Sequence, residues 1–392
     1  MKNRARNENE NVKMSSYMPN VGCIGEYDGF LIVDKSGGDG SFDVESACAA
    51  KNNVPSHLVV MVNGINGSAQ NWRFSATQFV KQYPHDVFIH CSECNSSKLT
   101  FDGVDVMGKR LADEVISVIK RYPDLQKISF IGHSLGGLIA RYAIAILYGQ
   151  DITGISSQEN GEYRNDESKD QCLEEKFKGK IAGLEPMNFI TFATPHLGSR
   201  GHKQVPVLCG FYTLEKVASH ASRLFHRTGK HLFLTDSDTG RPPLLLQMVN
   251  DSDDLQFLSA LQSFKRRVAY ANARSDHLVG WSTSSLRHRN DLPKYQYFSR
   301  NDKYPHIVNV EAARSADPQQ EPSLEGKFNG YKTIDLEDAM IRGLTKVSWE
   351  RVDVNFSGSK RFLAHSSILV KNYWINSDGA DVIQHMIDNF LL

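Results

Sequence analysis

The chain has 392 residues, and its 45 lysines and arginines balance its 45 aspartates and glutamates, so the formal net charge at pH 7 is zero. This balance argues against a nucleic-acid-binding protein, which usually carries a basic excess. The hydrophobic fraction of 40% is ordinary for a globular protein. The length suffices for one large α/β domain with insertions or for two smaller domains.

The polar N-terminal residues 1–20 predict a disordered segment without the apolar core of a signal peptide. Lys2 excludes N-myristoylation, which needs glycine at that position. No run of about 18 apolar residues is present, so we expect no transmembrane segment. These features together lead us to expect a cytoplasmic protein.

Six cysteines are present, and without a secretory signal we expect reduced thiols. Cys91 and Cys94 form a C-x-x-C pair, but no second cysteine pair or histidine pair completes a zinc site. A redox role stays open, although two ordinary thiols at a strand end are the simpler interpretation. We predict that the protein needs no metal and no cofactor.

The first 150 residues alternate between apolar, β-prone runs and amphipathic helical patterns. Residues 37–40 and the acidic stretch after them predict a loop. The predicted strands cover residues 27–33, 57–62, 86–91 and 128–131, and the predicted helices cover residues 71–83, 104–122 and 138–147. This alternation indicates an α/β fold, with a mostly parallel sheet and helices on both of its faces.

The rest of the chain carries three insertions within a single predicted domain over residues 21–392. Residues 150–182 are polar and predict a partly disordered surface insertion, residues 199–264 predict a helical cap or lid, and residues 290–343 predict a loop-rich insertion. The remaining predicted elements are strands at 188–193, 265–272 and 346–356, a loop at 362–368 and a terminal helix at 379–391.

The sequence Gly132-His133-Ser134-Leu135-Gly136 lies between a predicted strand and a predicted helix. A G-x-S-x-G pattern in this context is typical of a nucleophile elbow, in which a strained turn exposes a serine hydroxyl. The two glycines fit because side chains at their positions would collide with the neighbouring strand and helix. We therefore predict that Ser134 is a nucleophile.

A serine nucleophile needs a base that takes its proton and an acid that orients the base. In a fold with this elbow, the acid and then the histidine follow the serine along the chain. Asp276 comes directly after the predicted strand 265–272 and is the preferred acid. Its rivals, in less well placed segments, are Asp251, Asp254 and Asp291.

The predicted base is His365, which lies between the last predicted strand and the terminal helix. The fold places its base in this part of the chain. The other histidines that follow Asp276 are less well placed, and they are His277, His288, His306 and His385.

Cleavage of an ester also needs two backbone donors for the oxyanion that develops. One is predicted to be the amide of Leu135, directly after the nucleophile. The other is predicted to be the amide of Ile65, in a turn that Gly64 makes flexible. This turn follows the predicted strand 57–62, whose carboxyl end lies at the same edge of the sheet as Ser134.

Residues 214–225 of the predicted cap form an apolar helical face with basic residues beside it. Such a helix can lie on an anionic membrane surface, or it can pack on the core, which is the more common outcome. Our hypothesis is that this cap contacts a membrane or lipid-droplet surface and controls access to the site.

Several blocks of the sequence together resemble the lipase-like serine esterase family of the α/β-hydrolases, which includes the Rog-type eukaryotic lipases and their plant relatives. The blocks are residues 62–72, 130–142, 189–199, 272–279 and 364–368. The similarity covers residues 54–285 well and the C-terminal part more loosely. Two positions depart from the pattern, because Asn63 stands where such families usually carry His and Asn71 where they often carry Asp.

The resemblance implies an α/β-hydrolase fold, with Ser134 as nucleophile and Asp276 and His365 as its partners. It also implies hydrolysis of the acyl esters of glycerolipids through an acyl-enzyme, with a lipid or acyl ester as the partner. The alternatives are a thioesterase or small-ester carboxylesterase and, from another class, a non-catalytic binding module. The departures at Asn63 and Asn71 touch no triad position, so we expect them to alter only loop hydrogen bonding.

Overall fold

The computed structural model describes residues 24–27, 30–36, 40–46, 54–150, 152, 177–199, 226–237, 241–299, 301–313, 333–356 and 362–392. The segment predicted to be disordered, most of the 150–182 insertion and the amphipathic segment 214–225 lie outside these residues. Within them, no helix is both long enough and apolar enough to cross a membrane.

The described residues form a sheet of 10 strands in the order β1-β2-β3-β5-β4-β6-β7-β8-β10-β9. The strands are β1 (Ile24–Tyr27), β2 (Phe30–Ser36), β3 (Phe42–Ser46), β4 (His57–Val62), β5 (Val87–Cys91), β6 (Lys127–His133), β7 (Glu185–Phe192), β8 (Arg266–Asn272), β9 (Ile307–Glu311) and β10 (Glu350–Val354). The strands β5, β4, β6, β7, β8 and β10 are neighbours in this order and pair in parallel. The strands β1, β2, β3 and β9 pair antiparallel with their neighbours. The predicted α/β class with a mostly parallel sheet is confirmed.

Helices cover both faces of this sheet. They are α1 (Arg73–Gln82), α2 (Val104–Arg121), α3 (Leu135–Leu147), α4 (His226–Leu232), α5 (Leu244–Gln247), α6 (Phe257–Ser263), α7 (Trp281–Ser285), α8 (Thr333–Leu344), α9 (Ala364–Ser367), α10 (Tyr373–Asn376) and α11 (Ala380–Asp388). The side chains of β4 alternate between two cores, with Leu58 and Val60 packing with α2 and α3. Val59 and Met61 pack with α1 and α11. A strand buried on both faces explains its continuous apolar sequence.

The N-terminal prediction is wrong in two places. The segment predicted as one strand at 27–33 forms two antiparallel strands, β1 and β2. The sequence between them, Asp28-Gly29, is a common hairpin signal that could have revealed this. The acidic stretch predicted as a loop forms β3, in which Asp43 is buried because it pairs with His90 on β5 at 2.7 Å.

One further prediction is wrong in the second half of the chain, because the segment 362–368, predicted as a loop, contains α9. The described part of 290–343, predicted as loop-rich, contains β9 and most of α8. Strand β9 was hard to recognise because it lies at the sheet edge and carries polar residues. Asn309, for example, donates to Asp353 on β10 at 2.8 Å. The described part of 199–264 contains helices and no strand of the sheet.

The topology brings four separate segments to one edge of the sheet. Gly64 follows β4, Ser134 follows β6, Asp276 follows β8 and His365 follows β10. These are all parallel strands, so their carboxyl ends lie at the same edge, where open α/β sheets bind ligands.

Candidate active site

Ser134 lies at the junction of β6 and α3 with φ 54° and ψ −125°, a conformation that non-glycine residues rarely adopt. Its amide donates to the carbonyl of Phe192 on β7 at 2.8 Å. A Cβ atom at Gly132 would lie 2.6 Å from the Cα of Gly137, and one at Gly136 would lie 2.2 Å from the carbonyl oxygen of Val62. Both positions therefore need glycine, for the steric reason predicted from the sequence.

Asp276 and His365 form a hydrogen-bonded pair, with 2.9 Å between Oδ2 and Nδ1. The same carboxylate accepts from Nδ2 of Asn272 at 2.8 Å and from the amides of Leu278 and Val279 at 2.9 Å. Burial alone would raise the pKa of Asp276, but His365 and these hydrogen bonds hold the pKa below its usual value. Because an ionised carboxylate only accepts, Nδ1 carries the proton and Nε2 is left as a proton acceptor.

Ser134 and His365 line the same cavity, which has a volume of about 300 Å³. The described contacts contain no hydrogen bond between the Ser134 hydroxyl and the His365 ring. Catalytic hydrogen bonds often tighten only when substrate is bound, so this geometry is compatible with proton transfer. The structure thus brings the predicted nucleophile and base to one cavity, with the predicted acid behind the base.

His133, next to the predicted nucleophile, supports the segment that carries the predicted base. Its Nε2 donates to the backbone carbonyl of His365 at 2.8 Å, and the two ring centroids are 4.7 Å apart. Burial, reinforced by the neighbouring His365, lowers the pKa of His133 well below its usual value, so its ring is neutral. The sequence did not predict this contact between His133 and His365. The position of His133 next to Ser134 was the only indication of it.

The turn after β4 lies directly against Ser134. A Cβ atom at Gly64 would be 2.8 Å from the Cβ of Ser134. The turn is held by its own hydrogen bond, from the amide of Gly67 to the carbonyl of Gly64 at 2.9 Å, and by Asn63, which donates to the carbonyl of Asn95 at 2.8 Å.

The two predicted oxyanion donors also belong to this cavity. Ile65 and Leu135 both line it. Within the described residues, neither of their amides donates a hydrogen bond. Two unengaged amides beside a serine hydroxyl are what an oxyanion hole requires.

The rival candidates are engaged elsewhere or exposed. Asp251 accepts from the amide of Leu258 at 2.7 Å, and Asp254 and Asp291 are exposed. His277 stacks on Phe362 with ring centroids 5.7 Å apart. The remaining rival histidines pair with Asp338 (His288, 3.0 Å), Asp381 (His306, 2.9 Å) and Tyr270 (His385, 2.9 Å).

The C-x-x-C pair lies outside this cavity, with Cys91 on β5 and Cys94 just after it. Burial, together with the nearby Glu114, raises the pKa of the Cys94 thiol far above its usual value. A raised pKa disfavours the reactive thiolate, which weakens a redox interpretation. In the described part of the chain, no cluster of three or more His, Cys, Asp or Glu side chains could hold a metal ion.

Comparison with known families matches residues 52–286 to the family described as "Putative serine esterase (DUF676)". "Putative lipase ROG1" of Saccharomyces cerevisiae is 29% identical over 264 residues, which cover 64% of this chain and 32% of that protein. "Putative lipase C4A8.10" of Schizosaccharomyces pombe is 25% identical over 245 residues, which cover 59% of this chain and 26% of that protein. The chain thus spans about a third or less of the length of these relatives.

Two solved structures are similar to this chain at low sequence identity. An α/β-hydrolase superfamily protein from Enterococcus faecalis is 13% identical, with a TM-score of 0.38 and coverage of 66% of this chain and 85% of that one. A lipase-esterase related protein from Clostridium acetobutylicum is 11% identical, with a TM-score of 0.35 and coverage of 87% of this chain and 96% of that one.

Proposed function

Since this chain belongs to the serine esterase family whose model matches residues 52–286, we propose that it is a carboxylic ester hydrolase that cleaves the acyl esters of glycerolipids. Its fold is the α/β-hydrolase fold. The observation that carries the proposal is the shared cavity, which is lined both by a strained Ser134 and by the imidazole that is hydrogen-bonded to Asp276. The lipase names of the yeast relatives support a lipid ester as the substrate.

In this proposal His365 acts as the general base. Its Nε2 takes the proton of the Ser134 hydroxyl while Oγ attacks the ester carbonyl carbon. Asp276 keeps the proton of the imidazole on Nδ1 and stabilises the imidazolium that forms. The amides of Leu135 and Ile65 stabilise the negative oxygen of the tetrahedral intermediate.

Collapse of this intermediate breaks the bond to the alcohol. His365 returns its proton to the departing alkoxide oxygen, and the acyl group stays on Ser134. A water molecule then attacks the acyl-enzyme, with His365 again taking a proton, and the fatty acid leaves. None of these steps needs a group from outside the chain other than water.

Contact of the cap with a lipid surface is the part of the proposal that rests on sequence alone. The amphipathic segment 214–225 supports it, and that segment lies outside the described residues. Flotation with anionic liposomes tests the idea, using variants in which Leu214 and Leu224 are changed to Asp. Unchanged flotation of the variants would remove this contact from the proposal.

The central experiment compares purified wild type with Ser134→Ala on mixed acylglycerols, phospholipids and galactolipids, with products followed by mass spectrometry. We expect wild type to release fatty acid and Ser134→Ala to release none. A fluorophosphonate probe should label wild type at Ser134. Release of fatty acid by both proteins would refute the nucleophile. Labelling without lipid hydrolysis would leave an esterase or thioesterase, and failure of both assays would favour a binding module.

A further inference from the structure

Lys371 is the one lysine or arginine among the described residues that line the cavity beside Ser134, and no described aspartate or glutamate lines it. The Lys371 side chain is half-buried and forms no ion pair with any described residue. Protein charges that lose water are normally compensated by a partner of opposite sign. This ammonium group therefore lacks a counter-charge within the described structure.

The backbone presents Lys371 in a fixed position relative to His365. The amide of Val370 donates to the carbonyl of Ser367 at 3.0 Å, and the amide of Lys371 donates to the carbonyl of Ser366 at 3.1 Å. These two bonds form a Schellman motif that ends α9. Val370 occupies its left-handed position with φ 59°, a conformation that strains a β-branched residue. His365 and Lys371 are thus joined by one hydrogen-bonded helix end.

Asn71 lines the same cavity and offers a second donor. Its Oδ1 accepts from the amide of Ser68 at 3.1 Å. Its Nδ2 has no acceptor among the described residues. The cavity therefore presents a cation and an amide N–H group that are both without a described acceptor.

The segments that carry Asn71 and Lys371 are packed together. The hydroxyl of Ser75 donates to the carbonyl of Leu369 at 3.3 Å. Phe74 stacks on Tyr373 with ring centroids 5.1 Å apart. These contacts place the Asn71 segment and the Lys371 segment side by side on one wall of the cavity.

The pKa of Lys371 also indicates a charge without a partner among the described residues. Burial lowers the pKa of Lys371, because the ammonium group loses water and gains no carboxylate among the described residues. The same charge contributes to the lowered pKa of His133, next to Ser134. A bound anion would supply the missing counter-charge.

We propose that Lys371, together with the amide of Asn71 in the same cavity, binds an anionic group of the substrate, so that esters with a phosphate or carboxylate near the scissile bond are preferred over neutral esters. This inference rests on the proposed function, because it concerns the substrate of the same site. Ser134 and Lys371 line the same cavity, whose volume of about 300 Å³ is at the small end for ligand sites.

The test uses three soluble esters that differ in one group. They are 1,2-dibutyrylglycerol, its 3-phosphate and 2,3-dibutyrylglyceric acid. We expect wild type to have a higher kcat/KM for the anionic esters than for the neutral ester. Lys371→Met should reduce the anionic-to-neutral ratio about 10- to 100-fold, since a hydrogen bond to a charged group is lost. The two anionic esters distinguish a phosphate preference from a carboxylate preference.

Two further variants separate charge recognition from packing. Lys371→Arg keeps the charge and should keep the ratio within about threefold of wild type. Lys120→Met removes an exposed lysine at the end of α2 and should leave the ratio unchanged. If Lys371→Met does not fold, Lys371→Gln replaces it. Thermal unfolding of every variant checks that the fold is intact.

The outcomes for the inference and for the proposed function differ. A wild type that prefers the neutral ester, or an unchanged ratio in Lys371→Met, would overturn the inference and leave the hydrolase proposal standing. A wild type that cleaves none of the three esters and does not react with a fluorophosphonate would overturn the proposed function, and the inference with it. Inhibition of neutral-ester cleavage by inorganic phosphate, weakened in Lys371→Met, would add direct support.

Discussion

Replacing Asp276 by asparagine should strongly reduce turnover while leaving the fold in place. The amides of Leu278 and Val279 both donate to Oδ1, so the carbonyl oxygen of a new amide must stay at that position. The NH₂ group then takes the place of Oδ2, which accepts from Asn272 and His365. It would present N–H donors to both.

The consequence for His365 is a change of tautomer. Facing an N–H group, Nδ1 must become the acceptor, so the ring proton moves to Nε2. That nitrogen can no longer take the proton of Ser134. The same substitution in a serine protease triad lowers kcat about 10⁴-fold, which is about 5 kcal/mol of activation free energy. We expect a loss of this size for Asp276→Asn.

The fold should tolerate the change because Asn272 can adjust. Its buried Oδ1 has no hydrogen-bond partner among the described residues. Rotating its amide would turn Oδ1 toward the new NH₂ group and restore a hydrogen bond. We therefore expect Asp276→Asn to lose no more than about 1–2 kcal/mol of unfolding free energy.

The assay measures kcat/KM for p-nitrophenyl butyrate and the rate of fluorophosphonate labelling, with thermal unfolding as the check on folding. Asp254→Asn is the matched control, because it removes an exposed rival acid and should change kcat/KM less than twofold. A folded Asp276→Asn protein with kcat/KM within tenfold of wild type would refute the assignment of Asp276 as the group that orients the base.

Three other perturbations follow from the structure. Gly136→Ala should lower the unfolding free energy in urea by about 2–3 kcal/mol, since its Cβ would lie 2.2 Å from a backbone oxygen; wild-type stability would contradict the elbow packing. Burial lowers the pKa of His90, but its hydrogen bond to Asp43 and its ion pair with Glu114 outweigh this effect and raise the pKa to about 9. The resulting stabilisation, about 3 kcal/mol, is present below pH ~6.5 and lost as the pH rises through 9. In His90→Asn the unfolding free energy should fall less over this pH range. An equal fall in both proteins would refute the pairing of His90 with the two carboxylates. His133→Leu should reduce kcat about 3- to 10-fold at every pH, His133→Gln should restore part of it, and equal kcat values for wild type and both variants would exclude a positioning role.

The sequence predicted the parallel core of the sheet well because each strand there is buried on both faces. His57–Val62 is one example, since its apolar run allows little other than a buried strand. The antiparallel margins were predicted poorly because their polar residues are satisfied by partners distant in sequence. Asp43 in β3 is buried against His90, and Asn309 in β9 donates to Asp353. No local pattern reports such pairs.

In the candidate site, too, residues with a local sequence pattern could be predicted and residues without one could not. Ser134 was visible because glycines at fixed offsets have a local steric purpose, as the close approach at Gly136 demonstrates. Asp276 and His365 were predicted from their order relative to strands, and the structure joins them by a hydrogen bond. Lys371 had no signal, because a single lysine in a loop gives no indication of the cavity that it lines.

The segment that carries His365 is anchored on both of its sides by hydrogen bonds of described residues. On one side His133 binds the His365 carbonyl, and on the other the turn at Val370 fixes the end of α9. The position of the base is therefore set by contacts made directly after β6 and at the end of α9.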